Sequence, residues 1–265
     1  MRVFISADIE GTAFTTVWDE TRKGELDYPA AAQQMTNEVK AACEGAIAAG
    51  ADYILVKDAH GSGRNIDVRQ LPKCCEIIRC GTGSPRAMVE GIDSSFDAAM
   101  FVGYHSPASK NGNPLSHTYS TKTTLITLNG EVCSEFKLYS YCCALYGVPT
   151  VFLSGDKMLT EDSKELHPCL KTVAVKDGYG GFTRCKQPDY ACDLIREGAE
   201  VALKQDLTNA LCTIPEHFVF EISYKEHPQA ARNSYYPGFT LVDSYTIRME
   251  TDNLWDVLRC IPFVL

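Results

Sequence analysis

The sequence predicts an α/β protein whose mainly parallel sheet is flanked by helices in three layers, with an antiparallel extension at the C-terminal end. Three observations support this prediction. Short apolar runs alternate with longer amphipathic segments along most of the chain. The first three elements form a strand–helix–strand unit, the usual building block of parallel sheets. From about residue 215 onwards, apolar and polar side chains instead alternate as they do in antiparallel strands.

The first strand–helix–strand unit begins at the N-terminus. Residues 2–7 and 53–57 are apolar runs that predict two buried strands. Residues 29–49 predict the helix between them, because Pro29 suits a first helical turn and Gly50 suits a helix end. Since a helix connects the two strands, we expect them to be parallel, with a right-handed crossover.

The rest of the chain continues this alternation. We expect further strands over residues 76–79, 99–103, 150–154 and 172–175, a helix end over 95–98, and helices over 134–146 and 188–204. The Asn129-Gly130 pair between 123–128 and 131–133 predicts a hairpin with a type I′ turn.

The C-terminal segment has a different pattern. Residues 218–224 and 240–249 predict antiparallel strands, and 252–260 predict a short helix. No repeat, low-complexity tract or linker divides the chain. We therefore expect a single catalytic domain over residues 1–265, with an antiparallel segment at about 215–265.

Composition and charge exclude several classes of protein. Apolar residues make up 45% of the 265 residues and charged residues 22%, as in ordinary globular proteins. This excludes a disordered chain, a collagen-like fibre and a coiled coil. No apolar run reaches the ~20 residues that cross a bilayer. The formal net charge of −9 repels phosphate backbones. We expect neither a membrane nor a nucleic acid as partner.

The twelve cysteines do not have the pattern of a secreted disulfide scaffold. Asp8 interrupts the apolar N-terminal stretch, which is too short for a secretory signal. The sequence also contains no Asn-x-Ser/Thr site and no Cys-x-x-Cys pair. We therefore expect a cytoplasmic protein whose thiols are mostly free and do not bind the catalytic metal.

Side chains that can bind metals follow three of the predicted strands. Asp8 and Glu10 follow the first strand, Asp58 and His60 follow the second, and His105 follows a later one. Because the carboxyl ends of parallel strands lie along one edge of a sheet, we expect these groups to converge there. Any one of them alone is more often a turn cap or a hydrogen-bonded loop residue. Their number at a single edge indicates a site.

This set of side chains favours a metal ion. Carboxylates gathered at one edge repel one another, and a bound cation relieves that repulsion. Carboxylate and imidazole ligands without a thiolate favour zinc, with manganese or another first-row ion as alternatives. Asp8 and Glu10 stand two residues apart on an extended segment, so they face the same side. That spacing suits one carboxylate that bridges two ions and another that binds one.

Five short motifs resemble the D-aminopeptidase family of dizinc metallopeptidases. They are Asp8-Ile9-Glu10-Gly11, Asp58-Ala59-His60, Gly103-Tyr104-His105, Ser116-His117, and Glu135 after the predicted hairpin. The motifs follow the family's order with similar spacings, and a weak likeness extends over most of the chain. The set as a whole is specific, whereas each motif alone is weak.

The resemblance implies a centre of two zinc ions per subunit, with Asp8 as the bridging ligand. The implied ligands are Asp8, Glu10, His60, His105 and Glu135. Glu135 enters only through the resemblance, because a carboxylate in a first helical turn is otherwise explained by the helix dipole. His117 would be the catalytic residue that is not a ligand, and a structural loop histidine is the alternative. Members of the family form ring-like homo-oligomers, so we expect a homo-oligomer, with a decamer as one candidate.

The predicted function is that of a metal-dependent aminopeptidase. It would hydrolyse short peptides or amino-acid amides, with D-alanine peptides as a candidate class, by means of a water activated by two zinc ions. Two alternatives stay open. A dimetal phosphoesterase uses similar ligands, although no Gly-Asn-His-Asp segment follows Asp58-Ala59-His60. A non-enzymatic small-molecule or metal-binding homologue could keep the fold, although the complete set of candidate residues argues against it.

Overall fold

The computed structural model describes residues 1–167 and 169–265. Its strands are β1 (Arg2–Ala7), β2 (Tyr53–Asp58), β3 (Cys75–Ile78), β4 (Ala98–Tyr104), β5 (Thr123–Leu128), β6 (Glu131–Val132), β7 (Thr150–Asp156), β8 (Lys171–Tyr179), β9 (Phe182–Cys185), β10 (Phe218–Tyr224), β11 (Phe239–Leu241) and β12 (Thr246–Thr251). Its helices are α1 (Tyr28–Ala48), α2 (Glu135–Leu145), α3 (Lys157–Asp162), α4 (Pro188–Lys204), α5 (His227–Asn233) and α6 (Leu254–Val264).

The main sheet has the strand order β3-β2-β1-β4-β7-β8-β9. All neighbouring strands in it are parallel except β9, which runs antiparallel to β8. The chain builds outwards from β1 to β3 on one side and from β4 to β8 on the other. The strand order therefore reverses between β1 and β4, and ligands of open α/β sheets bind in the crevice at such a point.

The two faces of the main sheet bury different layers. Val3 and Ile5 of β1 point towards the layer that contains α1 and α4. Phe4, between them in sequence, points to the other face, where it belongs to the core shared with α2, α6 and the second sheet. This alternation follows from the two-residue period of a strand. The arrangement confirms the predicted three-layer α/β fold with its mainly parallel sheet.

The second sheet is antiparallel, with the strand order β11-β12-β10-β5-β6. It confirms the predicted antiparallel extension but also recruits the hairpin β5–β6 from the middle of the chain, so that Ile222 lies opposite Ile126. The hairpin turn has φ of 55° at Asn129 and 80° at Gly130, as a type I′ turn requires. Because β10 pairs with β5, we propose that residues 1–265 form one domain.

Two local predictions differ from the structure, and three short elements were not predicted. No helix ends over residues 95–98; a turn precedes β4, and Asp97 N donates to Arg2 O at 2.9 Å, extending the pairing of β4 with β1. The strand predicted over 240–249 is two strands, because the chain reverses where Val242 N donates to Thr246 O at 2.8 Å. The sequence also did not indicate β9, α3 and α5, which are short elements.

The crossing of α1 and α4 is close at Gly45. A Cβ at this position would lie 2.2 Å from Arg196 O, which is a backbone atom of α4. We expect Gly45→Ala to lower the free energy of unfolding by about 1–3 kcal/mol through overpacking. Alanine's better helix propensity, worth about 1 kcal/mol, offsets only part of the clash. Urea unfolding followed by circular dichroism measures the difference.

Gly181→Ala is the matched control for this substitution. A Cβ at Gly181 would meet nothing within 4 Å, so its unfolding free energy should stay within about 0.5 kcal/mol of the original. Equal urea midpoints for the two variants would contradict the close crossing.

None of the helices in the described residues combines the length and the apolar character needed to cross a bilayer.

Candidate metal centre

The predicted site residues come together at the carboxyl edge of the main sheet, beside the point where the strand order reverses. Five of them line a cleft of about 430 Å³: Asp8, Glu10, His60, His117 and Glu135. His105 lies behind this wall and is 2% exposed. Four of the six follow the ends of β1, β2 and β4, as the sequence predicts. The other two come from the loop after β4 and from the first turn of α2.

The segment after β1 is held against β4 by main-chain contacts. Asp8 N donates to Val102 O at 2.9 Å, and Gly11 N donates to Gly103 O at 2.8 Å. A Cβ on Gly11 would lie 1.8 Å from Tyr104 O, so only glycine allows this approach. The close approach fixes the backbone on both sides of Glu10.

His60 faces the two carboxylates of this segment. Its Nε2 lies 2.9 Å from Thr21 O. Because a carbonyl oxygen only accepts, Nε2 carries the proton, and Nδ1 of the neutral ring has a free lone pair. Nδ1 lies 3.3 Å from Asp8 Oδ1 and 3.0 Å from Glu10 Oε2. A lone pair that faces carboxylate oxygens is an arrangement stabilised by a cation between them.

His105 has the corresponding arrangement on the other side of Asp8. Its Nδ1 donates to Ser106 O at 2.9 Å. Its Nε2 lies 3.5 Å from Asp8 Oδ2 and 3.5 Å from Glu135 Oε2. The two oxygens of Asp8 therefore face different histidines. This is the geometry expected of a bridging ligand.

Two buried polar atoms of the cluster lack a hydrogen-bond partner within the described part of the chain. They are Glu10 Oε2 and His105 Nε2. The 3.0 Å contact between Glu10 Oε2 and His60 Nδ1 is thus close without having the geometry of a hydrogen bond. Buried polar groups are normally satisfied, so such atoms need an explanation. A bound metal ion would supply that explanation, because both atoms are of the ligand type that zinc binds.

Without a cation, the buried carboxylates and imidazoles of the cluster shift one another's pKa values. Burial, together with the charge of Glu10, raises the pKa of Asp8 to about 7. Burial also opposes the charged form of Glu10, but the positive charges of His60 and His105 hold its pKa well below the usual value. For His105, burial is outweighed by the charges of Glu135 and Asp8, which raise the pKa to about 10. Protonated histidines thus balance the carboxylates, a role that bound metal ions would take over.

Glu135 reaches the site because α2 begins there. Ser134 Oγ caps the helix by accepting from Lys137 N at 3.0 Å, which leaves Glu135 in the first turn. The Glu135 side chain is 4% exposed, and its Oε1 accepts a hydrogen bond from Tyr119 N at 2.6 Å. The remaining oxygen is the one that faces His105.

His117 stacks on His105. The ring centroids lie 4.3 Å apart with an interplanar angle of 8°, and Trp18 contacts the His117 ring edge-on at 5.4 Å. His117 Nδ1 donates to Leu115 O at 2.8 Å, so Nε2 is free, 3.7 Å from Glu135 Oε1. Potential ligand atoms of His105, His117 and Glu135 lie within 4.8 Å of one another. Those of Asp8, Glu10 and His105 form a second group of the same size. His117 is thus placed for proton transfer and near enough to be a ligand.

A supporting network lies beneath the cluster, and the sequence analysis missed it. Asp156 accepts from Ser106 N at 2.5 Å and from Ser106 Oγ at 2.6 Å, which positions the residue whose carbonyl orients His105. Lys176 Nζ donates to Glu10 O and Thr15 O, and burial lowers the pKa of Lys176 to about 8. Asp156 and Lys176 are polar residues at or just after the predicted strands 150–154 and 172–175. The same strand-end rule would have found them.

Asp58 has a structural role instead. Its Oδ2 accepts from Asn65 N at 2.6 Å and from Ile66 N at 2.9 Å, so it shapes the loop after β2. The twelve cysteines are free thiols in this structure, and within residues 1–167 and 169–265 none of them belongs to a candidate metal-binding group. Six of the twelve cysteines are buried.

A cluster of carboxylates and imidazoles at the switch point of an open α/β sheet is typical of metal-dependent hydrolases. A family model described as Peptidase M55, D-aminopeptidase, matches residues 1–263. The chain therefore belongs to the D-aminopeptidase family, as the motifs predicted, and is a peptide-bond hydrolase of the aminopeptidase class.

A sequence match and a structural match, both to Bacillus subtilis, support this membership. A D-aminopeptidase of Bacillus subtilis (strain 168) is 29% identical over 239 residues, which are 90% of this chain and 86% of the relative. The solved structure of the Zn-dependent D-aminopeptidase DppA from Bacillus subtilis, described as a self-compartmentalizing protease, has 25% identity and a TM-score of 0.93. That match covers 100% of this chain and 96% of the other. These findings favour the aminopeptidase prediction over the phosphoesterase and the non-enzymatic homologue.

Proposed function

We propose that this chain is a zinc-dependent aminopeptidase with two zinc ions in each subunit. The proposed ligands are Asp8, Glu10, His60, His105 and Glu135. The observation that carries the proposal is the convergence of buried, unpartnered ligand atoms around Asp8, whose two oxygens face His60 and His105. The zinc dependence of the similar Bacillus subtilis structure supports the choice of metal.

The protein prepares the ligands before any ion binds. The carbonyls of Thr21 and Ser106 accept the second ring protons of His60 and His105. Once the second ring nitrogen gives up its proton, as binding of a metal ion requires, that nitrogen faces the centre, and such outer partners fix tautomer and orientation. The chemistry that bound zinc would supply here is polarisation of the substrate carbonyl and a lowered pKa, of about 7, for a bound water.

His117 is the proposed proton carrier. Its Nδ1 is fixed by Leu115 O, and its Nε2 is free at the cleft wall. An imidazole exchanges protons near neutral pH. Nε2 would take a proton from the attacking water or give one to the leaving amine, two steps that an aminopeptidase requires. Glu135 Oε1, 3.7 Å away, would stabilise the charged ring.

The proposed substrates are short peptides and amino-acid amides, including those with an N-terminal D-alanine. The cleft of about 430 Å³ has room for a small substrate beside the cluster. The proposed D-specificity rests on the sequence match and the structural match to Bacillus subtilis D-aminopeptidase. We further propose that the enzyme works in a reducing compartment, the cytoplasm, because its twelve thiols are free.

We also propose a ring-like homo-oligomer, with a decamer as the candidate assembly. The relative described as self-compartmentalizing supports this. Multi-angle light scattering should report a mass several times the 29.2 kDa of one chain. A monomer at micromolar concentration would contradict the proposal.

Metal analysis followed by a substrate panel tests the proposed function. We expect two zinc ions per chain, loss of activity on chelation, and recovery when zinc is restored. The panel contains D- and L-alanine dipeptides, alanine p-nitroanilides and p-nitrophenyl phosphate. Hydrolysis of the phosphate ester alone would favour a phosphoesterase. A zinc-loaded protein that hydrolyses none of the compounds would favour the non-enzymatic alternative.

A further inference from the structure

The segment 18–22 forms a wall of the cleft beside the metal centre. Trp18 lies edge-on against His117, and Thr21 O accepts from His60 Nε2. Arg22 is the next residue and lines the same cleft. Because consecutive Cα atoms are about 3.8 Å apart, the Arg22 backbone lies close to the carbonyl that holds His60.

Within the part of the chain that the structure describes, the arginine and lysine side chains that line the cleft are Arg22 and Lys57. The carboxylates of Asp8, Glu10, Glu90 and Glu135 line the cleft. The lysine side chain of the cleft, Lys57, is 4% exposed. It donates to the carbonyls of Asp58 and Cys80, both at 2.6 Å, so its ammonium group is already engaged.

In the described part of the chain, the guanidinium of Arg22 is not held in an ion pair. Among residues 1–167 and 169–265, no carboxylate lies within the 4.0 Å that defines an ion pair with Arg22. Its Cζ lies 5.7 Å from the centre of the Trp18 ring, a contact that holds the side chain on the cleft wall. The side chain itself is exposed. Five N–H donors are thus available to a ligand in the cleft.

We propose that Arg22 binds the free C-terminal carboxylate of a dipeptide or tripeptide substrate, an inference that rests on the proposed aminopeptidase function. A guanidinium binds a carboxylate through two parallel hydrogen bonds. One residue spans at most about 3.6 Å, so the carboxylate of a dipeptide lies one such step beyond the scissile bond, and that of a tripeptide two. Arg22 follows Thr21, whose carbonyl contacts the proposed ligand His60, and both residues line the cleft. Arg22 therefore sets a preference for very short peptides with a free C-terminus.

Matched substrates test this role. We expect the zinc-loaded enzyme to hydrolyse D-Ala-D-Ala with a higher kcat/KM than its C-terminal amide. Arg22→Ala should raise KM for the free acid by about 10- to 100-fold, the size expected for charge-assisted hydrogen bonds. It should leave kcat and the kinetics of the amide nearly unchanged, because the lost contact is to the distal end of the substrate. Arg22→Lys should restore part of the preference.

Lys23→Ala is the control variant, because it removes the same charge from the neighbouring exposed residue, which does not line the cleft. It should behave as the original protein with both substrates. An equal loss with acid and amide in Arg22→Ala would mean a structural role, and equal use of acid and amide by the original enzyme would mean that no carboxylate is recognised. Either result overturns this inference while the amide turnover upholds the aminopeptidase function. Failure to hydrolyse either compound would overturn both.

Discussion

Replacing Asp8 with alanine should remove zinc and activity together. Asp8 is the residue that both histidines face, with Oδ1 3.3 Å from His60 and Oδ2 3.5 Å from His105. If it bridges two ions, its loss weakens both sites at once. We expect the zinc content to fall from two ions per chain towards none, and kcat/KM to fall by roughly 10⁴-fold or more. Inductively coupled plasma mass spectrometry and steady-state kinetics give the two values.

Two further variants separate this effect from misfolding. Asp8→Asn keeps the shape of the side chain and removes its buried negative charge. Burial already disfavours that charge, because it raises the pKa of the Asp8 carboxyl to about 7. Its metal-free form should therefore unfold at a urea concentration no lower than the original chelated protein. Glu197→Ala removes an exposed carboxylate from α4 and should leave zinc and activity intact. An Asp8→Ala protein that retains two zinc ions would be incompatible with a bridging carboxylate.

Replacing His117 with alanine should lower activity without removing zinc, unlike replacing Asp8. If its free Nε2 carries a proton, kcat should fall by about 10²–10⁴-fold. The zinc content should stay at two ions per chain, because five other residues supply the proposed ligands. Metal analysis and kinetics on the same preparation provide the comparison. His227→Ala, at an exposed position in α5, is the control and should change neither value.

Two other results for His117→Ala would assign His117 a different role, because its ring lies close to the proposed ligands. His117, His105 and Glu135 have potential ligand atoms within 4.8 Å of one another. Loss of one zinc ion in His117→Ala would assign His117 to the ligand set. Full activity with full zinc content would make it a structural residue that stacks on His105 and contacts Trp18.

Much of the site could be predicted from the sequence because parallel strands place their ends at one edge. Mostly apolar runs marked β1, β2 and β4, and the polar residues that follow them include Asp8, Glu10, His60 and His105. That rule depends only on local pattern and on the geometry of a sheet. For the same reason it extends to Asp156, which ends β7 and supports the loop of His105.

The rest of the site depends on contacts between distant segments. The Ser134 cap that starts α2 is local, but the position of Glu135 beside Tyr119 N and His105 depends on how that helix packs. The segment 18–22 likewise gains its importance from Thr21 O and His60, 39 residues apart. No periodicity in one sequence records such a pairing. Family motifs supplied Glu135, and nothing in the sequence indicated Arg22.

The missed fold elements have the same cause. The helices α3 and α5 have six and seven residues, too few to be stable by helix propensity alone. The strand β9 is four residues long and follows a glycine-rich turn, so its pattern resembles a loop. These elements form because the neighbouring structure offers partners, such as β8, which pairs Lys176 with Cys185.

Anomalous diffraction from crystals of the zinc-loaded protein tests the dizinc centre most directly. We expect two zinc peaks in each subunit, one contacted by His60 and Glu10, the other by His105 and Glu135, with an oxygen of Asp8 on each. A single peak, or two peaks that do not share Asp8, would contradict the bridged two-zinc centre proposed for this enzyme.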